Sequence, residues 1–247
     1  MADFRNYQNR MAQTGTQTGA MIDEGLRSYM LRVYNLMALG LVITGVVAFA
    51  ASQMAFAGGQ LTAFGQAIYV SPLKWIVMLA PLALVFYMSF RIHTMSVAAA
   101  QTTFWVYAGL MGLSLSSIFL IYTGASIVQT FFVSAAAFGA LSLYGYTTKR
   151  NLSAIGSFLI MGLFGLIIAS LVNIFLQSSA LEFAISAIGV LVFAGLTAWD
   201  TQKIKEMYFE ADDDVVAGRK AIMGALTLYL DFINLFLFLL RFLGNRE

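Results

Sequence analysis

Two aspartates stand in stretches apolar enough to cross a membrane. Asp231 interrupts Leu226-Thr-Leu-Tyr-Leu-Asp-Phe-Ile-Asn-Leu-Phe-Leu-Phe-Leu-Leu-Arg-Phe-Leu243, and Asp200 ends the run Phe193-Ala-Gly-Leu-Thr-Ala-Trp-Asp. A carboxylate at bilayer depth costs a few kcal/mol or more unless it faces protein or a water-filled cavity. Two such groups brought together in a low dielectric cannot easily both ionise, so they would share a proton. With that proton the pair is a hydrogen-bonded latch. Without it, two negative charges repel one another and attract a cation. A blander arrangement is also open: Asp200 pairs with Lys203 one turn away, and Asp231 simply hydrogen-bonds between helices.

Helical spacing puts Thr227, Asp231, Asn234, Phe238 and Arg241 on one face, so the last helix belongs inside a bundle. Asp231 lies about ten residues beyond Arg219 and Lys220, roughly 15 Å at the rise of an α-helix. If the preceding helix runs to about Tyr208, Asp200 is about eight residues, or roughly 12 Å, from its end. The two acids can then share a level. Ser170, Asn173 and Gln177 make a polar stripe that either lines a cavity beside Asp231 or, as is commoner, hydrogen-bonds between helices. Ala108, Gly112 and Ser116, and likewise Gly165, Ala169 and Asn173, step by four as close-packing helices do.

Composition says what kind of protein holds these groups. The 247 residues are 60% hydrophobic and 11% charged, with two prolines and a net charge of +2. Soluble domains are nearer a quarter charged. Apolar runs near twenty residues recur along the chain, so the fold expected is an all-α polytopic membrane protein, not an alternating-strand barrel. The small net charge argues against a nucleic-acid partner. The absence of cysteine removes disulfides, thiolate metal sites and cysteine nucleophiles. His93 is the sole histidine, so neither a transition-metal site nor a histidine-based catalytic site can be assembled, and no cofactor is expected. The protein is therefore not expected to be an enzyme, although two aspartates could in principle drive hydrolysis.

Residues 1–25 read as a flexible cytosolic tail, rich in Gln, Thr and Gly, and residues 26–247 as one seven-helix domain. The spans expected are roughly 31–51, 73–90, 104–122, 127–146, 154–176, one from about 181 past Asp200, and 226–243. Arg5, Arg10, Arg27 and Arg32, then Arg91, Lys149 and Arg150, then Lys203, Lys205, Arg219 and Lys220 all fall on one side. The positive-inside rule makes that side, and the N-terminus, cytosolic. Arg241 and Arg246 breach the pattern mildly, so the seventh span either crosses, as favoured, or is re-entrant.

The residues around both aspartates resemble a known family. Leu228-Tyr-Leu-Asp-Phe-Ile-Asn-Leu-Phe236 with Leu240-Arg-Phe242 is similar to the last-helix signature of the Bax inhibitor family. Phe193-Ala-Gly-Leu-Thr-Ala-Trp-Asp-Thr-Gln-Lys-Ile204 is similar to its sixth-helix motif. Ser114-Leu-Ser-Ser-Ile-Phe119 and Leu143-Tyr-Gly-Tyr146 fit its middle portion, and the pattern suits the bacterial branch, hence the inner membrane. The resemblance runs from about Arg27 to Gly244. It implies a seventh helix wrapped by six others, a paired-aspartate pH sensor at Asp200 and Asp231, and a pH-dependent calcium leak. It also implies a second-helix arginine that helps hold the closed state; Arg91 is the nearest candidate, although Ser89 occupies the matching place.

The function expected is a pH-sensitive Ca²⁺ leak through the bilayer, with Asp200, Asp231, Arg91, Asn234 and Asn173 along the sensing and ion pathway. Asp200 and Asp231 would touch Ca²⁺ in passing, since that ion prefers carboxylate and carbonyl oxygen. The alternative expectation is a membrane-embedded regulator of another membrane protein, such as a quality-control protease. The acidic loop Phe209-Glu-Ala-Asp-Asp-Asp-Val-Val-Ala-Gly218 could weakly concentrate cations, but such a run is more often simply solvated.

Overall fold

The computed structural model describes residues 2–245, with side chains from Glu24 onward. The tail expected over residues 1–25 thus falls almost wholly on residues whose side chains are outside those described. Seven long helices account for the architecture: α1 (Ala2–Ala55), α2 (Leu73–Arg91), α3 (Val97–Leu115), α4 (Gly124–Thr147), α5 (Ser153–Leu176), α6 (Ser179–Glu206) and α7 (Asp214–Leu243). Each includes a stretch long and apolar enough to cross a membrane, within α1 the segment Glu24–Ala55. The protein is an all-α polytopic membrane protein with its last helix in the centre of the bundle.

Two helices begin well before the apolar windows that mark their cores. α3 starts at Val97 instead of 104 because Ser96 caps it, its side chain accepting the Ala99 N–H. α7 starts at Asp214, twelve residues before Leu226, because Asp213 accepts the Val216 N–H in the same way. Hydropathy finds the part of a helix that lies in lipid; capping residues find where it starts. Gly58 and Gly59, both with positive φ, turn the chain between the two-residue strands Phe56–Ala57 and Gln60–Leu61.

α7 packs chiefly against α6, α1, α4 and α3. The expected shell of six is therefore four, with α2 packed on α3 and α5 on α6 as outer helices. Both outer helices leave most of their residues exposed, as lipid-facing spans should. The small-residue steps follow this division. Gly112 brings α3 so near α1 that a Cβ there would lie 2.6 Å from the Thr44 carbonyl oxygen, whereas Gly165 on α5 meets nothing. The seventh helix crosses the whole bundle. At its far end the Asn245 N–H donates to Ser126 Oγ (2.9 Å) and the Thr123 N–H donates to the Asn245 carbonyl (3.2 Å), so the residues just after α7 meet the start of α4.

Candidate functional site

Asp200 lies six residues before the end of α6, about 9 Å along its axis. Asp231 is near the middle of α7. Among the described residues these helices form the most extensive helix pair, and small residues allow their approach. A Cβ at Gly224 would stand 3.0 Å from Ile204 Cγ2, and one at Gly189 would sit within the Phe238 ring. On the opposite side of α6, Gly145 of α4 is packed so closely that a Cβ would overlap the Ala198 carbonyl. α6 is held between α4 and α7 at the level of Asp200.

In that position the carboxyl groups of Asp200 and Asp231 come within hydrogen-bonding reach of one another. Such a bond requires a proton on one of them. Asp200 is 8% exposed and Asp231 4%, and Asp231 Oδ2 is buried with no hydrogen-bond partner. The cation acting on Asp200 is Lys203, whose ammonium nevertheless sits 5.1 Å from the Trp199 ring centroid and makes no salt bridge with it. Among the described residues the salt bridge present joins Lys220, in the second turn of α7, to Asp212 in the loop before it. The acids thus meet each other more directly than they meet any base.

Hydroxyl groups fix the helices around the pair. Thr201 Oγ1 donates to the Thr197 carbonyl (2.7 Å) and lies 2.9 Å from Ser142 Oγ, which in turn lies 2.6 Å from Tyr34 Oη. Because each hydroxyl has one proton, the chain runs in a single direction: Tyr34 donates to Ser142, Ser142 to Thr201, and Thr201 to the backbone. It ties α1, α4 and α6 together next to Asp200. On α7, Tyr229 Oη is 2.6 Å from Thr44 Oγ1, whose proton goes to a backbone carbonyl, so Tyr229 is the donor. Phe232, beside Asp231, packs edge-on against Phe131 and Phe138 of α4 with ring centroids 5.6 Å away in each case.

The basic end is braced by side chains that bind backbone. Arg219 Nε and Nη1 donate to the carbonyls of Met95 and His93, both at 2.7 Å. Gln202 accepts the Leu152 N–H and donates to the Arg150 carbonyl, both at 2.8 Å, holding the α4–α5 loop against α6. Neither role is visible in the linear sequence, since each partner is a backbone atom far along the chain. A polar residue one turn from a helix end is the only hint.

The other expected pathway residues do not gather at the pair. Arg91 is exposed at the end of α2 and is not among the groups acting on either carboxylate. Asn234 Nδ2 donates back to the Leu230 carbonyl (2.8 Å) on its own helix. Asn173 Oδ1 accepts the Ser178 N–H (3.0 Å), shaping the turn where Gln177 takes a left-handed conformation. With Ser170, Gln177, Glu182, Ile185 and Arg241 it lines a polar cleft of about 450 Å³ at the end of the bundle remote from Asp200. Its position four residues before the break explains this: the stripe on α5 points at the start of α6, not at the middle of α7. Among the described residues no three acids or histidines cluster as a metal site.

The architecture and the two aspartate motifs coincide with a known pattern along almost the whole chain: the family model described as "Inhibitor of apoptosis-promoting Bax1" matches residues 26–247. The chain belongs to the Bax inhibitor family. The inner membrane protein YbhL of Escherichia coli (strain K12) is 50% identical over 225 residues, 90% of this chain and 94% of its own length. A protein of Rickettsia prowazekii is 54% identical over 234 residues, 95% of this chain and 96% of its own. One of Caulobacter vibrioides is 49% identical over 230 residues, 92% of both. The described fold and the matched region therefore cover the same domain, and the buried aspartates lie inside it.

Proposed function

We propose that this protein is a pH-sensitive Ca²⁺ leak channel of the bacterial inner membrane, closed while Asp200 and Asp231 share a proton. The N-terminus and the basic end face the cytosol in this reading, in keeping with the positive-inside rule. The observation that carries the proposal is the close approach of two buried carboxyls on the central helix and its principal partner. Raising the pH removes the shared proton. Two carboxylates then repel at hydrogen-bond range while Lys203, engaged with Trp199, neutralises only part of the charge. α7 separates from α6 and the exposed carboxylates offer oxygen ligands to a passing Ca²⁺, whose remaining shell is water and backbone carbonyl.

Permeation is tested by Ca²⁺ flux into proteoliposomes between pH 5 and pH 8, with Asp200→Asn and Asp231→Asn beside the wild type. Flux that rises with pH in the wild type and loses that rise in both variants is the expected result. Variants with unaltered flux and pH dependence overturn the gating role of the pair. A protein acting only by binding another membrane protein would give no flux at any pH, and that outcome overturns the channel reading altogether.

A further inference from the structure

α1 packs on α3 and α7, and α4 on α6 and α7, whereas α1 and α4 pack only sparsely against one another. The hydrogen bond from Tyr34 to Ser142 bridges them, and on either side of it along the seam lies an opening. Toward the basic end is a crevice of about 600 Å³, between Arg27–Tyr34 of α1 and Phe138–Tyr146 of α4. Toward the other end is a smaller, almost wholly apolar one of about 260 Å³, between Leu41–Ala48 and Ile127–Phe132, with Phe232 and Phe236 of α7 at its floor. Both helices span the membrane, so the openings face hydrocarbon.

We propose that the crevice at the basic end is a binding site for one anionic phospholipid, its phosphate on Arg27 and an acyl chain against Met30, Leu31, Phe138, Gly139 and Leu143. Arg27 is exposed at the mouth, Leu31 (51%) and Leu143 (63%) form exposed apolar walls, and Tyr34 lies at the inner end. Lys205 adds a second positive charge at the same level: its ammonium donates to the Tyr146 carbonyl (2.8 Å) and stands 5.2 Å from the Tyr146 ring centroid. Glu24, one turn before Arg27, lines an adjoining hollow together with Arg27, Leu31 and Arg32, so two arginines stand beside that one acid. From Arg27 to Tyr34 is seven residues, about 10 Å along the helix, which takes a headgroup at the interface and the first part of a chain in the hydrocarbon. Basic residues at the cytosolic ends of spanning helices favour anionic headgroups, and the apolar walls add the burial of methylenes. Because Tyr34 donates its only proton to Ser142, the inner end of the crevice offers an acceptor oxygen and no donor. The phosphate is therefore selected at the Arg27 end.

Gly139 makes the site testable without disturbing the fold, since a Cβ there meets no atom within 4 Å. Gly45, in the outer opening, is equally free. The purified full-length protein is reconstituted with photoactivatable phosphatidylglycerol or photoactivatable phosphatidylcholine, and labelled peptides are identified by mass spectrometry. Expected is phosphatidylglycerol labelling concentrated on the peptides of α1 and α4 that line the crevice. Gly139→Leu abolishes that labelling, Gly45→Leu leaves it intact, and Arg27→Gln lowers it about fivefold. That factor is what roughly 1 kcal/mol per basic residue at an anionic surface converts to. Labelling spread evenly over α2 and α5 would mean a general lipid annulus and would overturn the proposal. So would phosphatidylcholine labelling equal to that of phosphatidylglycerol, or a folded Gly139→Leu protein labelled as the wild type is.

Discussion

Asp231→Asn is the substitution that separates a gating pair from a merely structural one. In the wild type the Asp200–Asp231 bond needs a shared proton, whereas an asparagine amide at 231 can donate to Asp200 whether or not any proton is present. The hydrogen bond is retained, and the repulsion on deprotonation is removed. That repulsion is about 4 kcal/mol for unit charges roughly 4 Å apart at an effective dielectric constant of 20. Exerted in the closed state and relieved in the open one, it shifts their ratio by roughly 10²- to 10³-fold. The variant should therefore leak at the low rate of the acidic wild type, flat from pH 5 to pH 8. Retaining a hydrogen bond to an ionised acceptor should also keep its thermal midpoint in detergent at or above that of the wild type. The assay is Ca²⁺ influx into proteoliposomes, read with an enclosed indicator at fixed protein-to-lipid ratio. A folded Asp231→Asn protein whose flux still climbs with pH as the wild type's does would refute the reasoning, because the repulsion invoked would then be absent and the response present.

The packing makes further predictions. Gly145→Val puts a side chain onto the Ala198 carbonyl of α6, a backbone atom that cannot turn aside, so stability should fall by about 3 kcal/mol or more, seen as a lower thermal midpoint in detergent. Gln202→Leu leaves the Leu152 N–H and the Arg150 carbonyl without their partner, at about 1–3 kcal/mol for the uncompensated groups. Its local signature should be faster tryptic cleavage after Lys149 and Arg150. Tyr229→Phe removes one neutral hydrogen bond to Thr44, which still reaches backbone carbonyls, so the cost should be only about 1 kcal/mol. A loss as large as that of Gly145→Val would show that the hydroxyl does more than donate this bond.

How much could be read from the linear chain depended on the kind of signal each feature leaves. Apolar runs of membrane length and a lone acid inside each of two of them marked the seven helices and the Asp200–Asp231 meeting, because the cost of a charge in lipid is large and nearly independent of context. The helix starts at Val97 and Asp214 were obscured because their first turns are polar, and only Ser96 and Asp213 announce them. Asn173 lies away from the pair for a geometric reason. A polar stripe gives a direction around a helix axis but not a depth, and the left-handed turn at Gln177 spends the stripe on the start of α6. Arg91 lies apart from the pair for another reason: its side chain stays exposed while its carbonyl accepts the Met95 N–H and Thr94 Oγ1. The interactions that hold the pair in place are Tyr34 to Ser142, Gln202 to the α4–α5 loop and Arg219 to Met95, and the two ends of each lie far apart in the chain. A spacing argument can say that two acids share a level. Only the small residues where these helices cross, Gly189 against Phe238 and Gly224 against Ile204, decide that α6 and α7 come near enough for those acids to touch. Widening either crossing should therefore weaken the pair as surely as removing a carboxylate.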